Sequence, residues 1–84
     1  MNSHIKLQVE SYYDTIKTKL NNMGYNYSRF IISHDDVWYV GIPISAHIPR
    51  SDRVSIHETF KDVEHNIRRF TKKRVLFYLK ETYR

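Results

Sequence analysis

Apolar residues early in the chain recur at intervals of three and four: Ile5, Val9, Tyr12, Ile16, Leu20 and Met23. That spacing keeps one face of a helix apolar and predicts a first helix over about 4–23, with Gly24 placed for a left-handed C-terminal cap. The period changes from Tyr25. Phe30, Ile31 and Ile32, then Val37, Trp38, Tyr39, Val40, Ile42 and Ile44, surround the polar group Ser33, His34, Asp35 and Asp36, which reads as a β-hairpin. Alternation places Phe30 and Ile32 on one face with Trp38, Val40, Ile42 and Ile44, and leaves Arg29, Tyr39, Tyr25 and Tyr27 opposite. Gly41 points to a bulge, and Pro43 to a strand that lies at an edge or ends there.

Residues 46–53, AHIPRSDR, read as an irregular connection because Pro49 removes a backbone donor and Ser, Asp and Arg suit a turn. A second helix is expected within 55–74. Ser55 and Glu58 have the spacing of a capping box, and Ile56, Phe60, Val63, Ile67 and Phe70 form an apolar stripe. The run Val75–Leu79 is short enough to extend that helix or form a strand. Its aromatic and β-branched content, and the loss of the stripe at Arg74, favour the strand. The pattern therefore predicts one α+β domain over 1–84, in the order α-β-β-α-β, with two helices packed on a short, mainly antiparallel sheet. There is no internal repeat or linker.

Composition narrows the chemistry. A chain of 84 residues has one small core, burying roughly 60% of the unfolded chain's surface, so a homodimer through strand pairing or helix packing is a natural supplement. The absence of cysteine excludes disulfides, a thiol nucleophile and cysteine-based zinc sites. No apolar run reaches a membrane-spanning length, and the polar start MNSHIKLQVE lacks a signal-peptide core, so a soluble, cytoplasmic protein is expected. No H-E-x-x-H or other metal or cofactor motif is present.

Charge is the strongest functional signal. Residues 1–42 hold four Lys or Arg against four acids, whereas residues 43–84 hold ten against five and carry the whole net charge of +5. Such a polarised basic half fits a polyanion, nucleic acid above all. Arg68, Arg69, Lys72, Lys73 and Arg74 are the expected phosphate contacts, with His65 beside them and Arg50 and Arg53 extending the patch. Tyr39 and Tyr83 are candidate stacking partners for unpaired bases, which favours RNA over DNA. Low sequence specificity is expected, since no base-reading docking motif is present.

Two other classes follow from the same residues. One is an accessory protein of the kind carried by phages and mobile elements, inhibiting a host nuclease or defence complex through protein contacts. The other is a small RNase using His65 or His57 beside Glu58 and Asp62 for proton transfer. A double-stranded-RNA-binding fold would need three successive strands between its helices, and only two precede the second helix.

Overall fold

In the computed structural model, which describes residues 3–82, the first apolar stripe forms two helical segments, α1 (Ser3–Ser11) and α2 (Tyr13–Asn22). They are one helix bent at Tyr12. The Ser11 hydroxyl donates to the Gln8 carbonyl at 2.6 Å, and the Tyr12 N–H turns back to Val9. Such local back-bonding displaces the regular helical ladder and bends it. Gly24, at φ +85°, closes α2 as the spacing predicts. Its N–H bonds to Asn21 and that of Tyr25 to Leu20, the paired bonds of a left-handed cap.

The hairpin consists of β1 (Ile31–His34) and β2 (Trp38–Ile44), antiparallel with Ile32 opposite Val40. The run after the long helix is a strand, β3 (Val75–Glu81), which pairs parallel to β2 with Val40 opposite Phe77. The sheet is therefore mixed, in the order β1-β2-β3. Parallel pairing follows from the connection: α3 (Arg50–Thr71) carries the chain back to the starting end of β2, as a parallel neighbour requires.

Pro43 lies in the central strand, not at an edge, but the strand does end there, at Ile44. The Pro43 carbonyl accepts from Ser28, so its donorless nitrogen faces the β1 side at a point β1 does not reach. The β2–β3 ladder is unaffected. Gly41 forms no bulge either. It keeps regular register with Ile31 and Tyr78, and a Cβ there would lie 2.7 Å from Cζ of the Tyr78 ring. The Tyr78 ring lies over the backbone there, and any larger residue would have to displace it.

α3 starts at Arg50, five residues before Ser55, with Pro49 at its N-cap. Residues 46–49 are irregular as expected, but 50–53 are already helix, and the Ser55–Glu58 capping box lies inside α3 rather than at its start. Proline is compatible with a helix start, where its missing N–H has no intrahelical partner to lose. The stripe of Ile56, Phe60, Val63 and Ile67 is buried as expected, together with Val9, Ile16 and Leu20 from α1 and α2 and Val40, Ile42, Ile44, Val75 and Phe77 from the sheet. Phe70 departs from that stripe and is 70% exposed. Among the described residues no helix is long and apolar enough to cross a membrane.

The C-cap of α3 is Lys72 in the left-handed region, φ 60°, where a β-carbon is unfavourable. Lys72→Gly is expected to raise stability by about 0.5–1 kcal/mol. Thermal unfolding should show this as a Tm increase of roughly 2–8 °C; a decrease would mean that the lysine side chain supports the turn.

Candidate nucleic-acid interface

Lys61, His65 and Arg68 follow at steps of four and three along α3, which places them on one strip of the helix surface, and the C-cap Lys72 lies beside His65 and Arg68. The strip adjoins the core face on the side of β3. There Lys61, Glu64, His65 and Arg68 line a cleft of about 250 Å³ with Arg74, Val75 and Leu76. A second cleft of about 450 Å³ is lined by His65, Arg68, Arg69 and Lys72. The two share His65 and Arg68, so they form one shallow basic trough between the end of α3 and the outer edge of β3.

The turn from α3 to β3 builds this convergence. Thr71 Oγ1 donates to the Ile67 carbonyl at 2.7 Å and accepts from the Lys73 N–H at 3.1 Å. The Lys72 N–H bonds to Arg68 at 2.9 Å. The chain thus reverses within a few residues, and Arg74, just before β3, lines the same cleft as Lys61, Glu64, His65 and Arg68 of α3.

Glu64 is the one acid in the trough. Its carboxylate accepts the Phe77 N–H at 2.7 Å, and burial pushes its carboxyl above the ordinary glutamate value, against the opposing pull of that hydrogen bond and of Arg74 and Lys61. Among the described residues, no carboxylate forms an ion pair with Lys61, Arg68, Arg69, Lys72 or Arg74. These cations face solvent with their charge uncompensated by a direct partner. No family model, curated protein or solved structure matches this chain. The functional reading rests on the trough itself.

The other residues singled out by sequence are placed differently. Lys73 is exposed in the turn and lines neither cleft. Arg50 begins α3, about 27 Å along the helix axis from Arg68 at 1.5 Å per residue. Arg53 is joined to Glu81 at 2.8 Å and so is not a free cation. Tyr39 is half-buried on β2 and lines neither cleft. Tyr83 lies outside the described residues. Of the histidines weighed for catalysis, His57 packs edge-on against Phe60 at 5.6 Å and His65 lines the trough. Neither bonds to a carboxylate among the described residues.

Lys61 and Glu64 belong to the site although the charge count alone did not select them. Their spacing to Arg68, at seven and four residues, is the signal that finds them. A further depression of about 280 Å³ at the β1 edge gathers Lys6, Lys17 and Arg29 around Glu10. There the Lys17 ammonium lies 5.6 Å from the Phe30 ring centroid, a cation–π contact that occupies one of its charges.

Arg53 instead belongs to a polar clamp at the other end of α3. It also donates to the Ile48 carbonyl at 3.4 Å, and at the adjacent residue the Tyr25 hydroxyl donates to Asp52 at 2.6 Å. That hydrogen bond, with burial and the Asp52 charge, pushes the Tyr25 hydroxyl up to about 12. Arg53 holds the Glu81 carboxyl below its ordinary value of 4.5. A depressed carboxyl adds stability above its unfolded value, and the contribution is lost as pH falls through the folded one. Arg53→Ala should therefore destabilise the domain near neutral pH, with the difference from the parent chain shrinking steadily below pH 4.5. Urea unfolding across a pH series checks this; a difference that persists unchanged into acid would assign the effect to lost packing.

Proposed function

We propose that this chain is a non-enzymatic nucleic-acid-binding protein, with RNA favoured over DNA, that holds phosphates in the trough formed by α3 and the start of β3. The observation that carries the reading is the convergence of Lys61, Arg68, Arg69, Lys72 and Arg74 around adjoining clefts without carboxylate partners at ion-pair distance. Unpaired cations along a trough suit a chain of phosphates, because each neutralised phosphate releases condensed counterions. Arginine adds planar donor pairs that match phosphate oxygens. The clefts are too shallow to enclose a small ligand, and no side chain there is set to read a base edge in a duplex groove. Binding is therefore of low sequence specificity.

Fluorescence titration with mixed-sequence RNA across a salt series tests the proposal. Five phosphate contacts, one for each cation of the trough, predict that log affinity falls with log salt at a slope of about −3.5 for a single strand. Charge reversal at Arg68 and Lys72 together should abolish binding at moderate salt. No binding by the parent chain at low salt would end this reading.

Glu64 supplies an independent check, because a carboxylate in the trough repels phosphate. Glu64→Gln removes that charge yet keeps an acceptor for the Phe77 N–H, and it should tighten binding about 3- to 10-fold, the Coulomb effect of one like charge several ångströms away in a largely solvated setting. Weaker binding would show that the carboxylate orders Arg74 or Lys61 for the ligand.

A second reading is contact with an acidic protein surface, as expected of an accessory protein that blocks a nuclease or defence complex. It is supported by Phe70, 70% exposed and next in sequence to Arg69. An apolar ring beside cations suits a protein interface better than a phosphate track. A partner from host lysate that stays bound after complete digestion of RNA and DNA favours this class.

A further inference from the structure

The sheet has a second face that the helices do not cover. Register and alternation place Trp38, Val40, Ile42, Val75 and Phe77 towards the helices, and Tyr39, Gly41, Leu76 and Tyr78 on the opposite side. None of the latter four belongs to the core or packs against it. Tyr78 is 41% exposed and its row neighbour Ile31 is 45% exposed. Gly41 is what lets the Tyr78 ring lie down on this face, since any β-carbon there would meet the ring at 2.7 Å. An aromatic ring laid over backbone at a glycine, with its outer side open to water, is a flat platform.

The platform and the basic trough are continuous. Leu76 lines the trough and stands directly opposite Tyr39 in the sheet, and Tyr78 follows two residues along the same edge strand. Strands lie about 4.8 Å apart, so a ligand held by Arg68 and Arg74 has only to turn over the edge of β3 to reach either ring. The charge of this face is complementary to such a ligand: Lys80 stands on it by alternation, and the acids of β3 and α3 do not, Glu81 facing the helices and Glu64 lying in the trough.

We infer that the chain takes single-stranded RNA, with phosphates in the trough and successive unpaired bases stacked on Tyr78 and Tyr39 across the open face of the sheet. This rests on the phosphate-binding reading above and adds to it the requirement for unpaired bases. A duplex has its bases stacked on one another and can offer only its backbone to the trough. Stacking on tyrosine tolerates any base, which agrees with the lack of base-reading groups.

The test compares binding of a labelled single-stranded RNA and the duplex of the same sequence at low salt, using the full chain and its Tyr39 and Tyr78 variants. The parent chain should bind the single strand at least about 10-fold more tightly than the duplex. Tyr39→Ala and Tyr78→Ala should each lower single-strand affinity about 5- to 100-fold, the range for loss of one stacked base, while duplex affinity and the salt slope stay the same. Tyr39→Phe and Tyr78→Phe, which keep the ring, should retain binding. Gly41→Ala, which displaces the Tyr78 ring without removing it, should behave like Tyr78→Ala. Equal affinity of the parent chain for single strand and duplex overturns the inference whatever the variants do, as do alanine variants that melt normally and bind the single strand undiminished. If the parent chain binds neither form, the phosphate reading itself fails.

Discussion

The packing of one helix face on one sheet face determines the rest of this molecule. Ile56, Phe60, Val63 and Ile67 of α3 are buried with Val40, Ile42, Ile44, Val75 and Phe77, and each large side chain fully removed from water contributes roughly 1.5–3 kcal/mol. α3 is about 33 Å long at 1.5 Å per residue, close to the full 37 Å of the domain. It must therefore lie along the sheet, and β3 must return beside β2 in the same direction. That geometry places the last turn of α3 next to the first residues of β3. The cations of the two elements then share one surface, for reasons of packing that do not involve charge.

Where burial decides an element, the residue pattern reveals it. The first helix, its glycine cap, the hairpin and the strand nature of 75–79 were readable from apolar spacing and residue type, whereas the bend at Tyr12 was not, because it depends on local hydrogen bonds of Ser11 and Tyr12. The departures occur where polar contacts between distant residues take over. Residues 50–54 contribute no buried apolar side chain, so nothing in their periodicity announces a helix. The turn is held by Tyr25 on Asp52 and by Glu81 on Arg53, partners 27 and 28 residues away. The central position of Pro43 and the role of Gly41 are equally invisible locally, because both depend on which strand lies alongside.

The candidate site divides the same way. The basic cluster at 68–74 is visible as composition and its convergence follows from the helix end, so His65, Arg68, Arg69, Lys72 and Arg74 are legible. Arg53 is not, since a charge count cannot tell a cation with a partner from one without. Tyr78 was hidden within a run that read as apolar filling. Only the register, which sets it across from Gly41, shows that its ring faces outward.

Glu64 has one more consequence, which concerns neighbouring molecules. β3 is an edge strand whose central segment, VLFYL, is apolar, aromatic and uncharged, the composition that recruits further strands into aggregates. By occupying the Phe77 N–H in the middle of that edge, the carboxylate removes a donor that an incoming chain would need and sets a negative charge against its approach. A single glutamate thereby blocks one outward donor of the edge strand at the point where an added strand would have to pair.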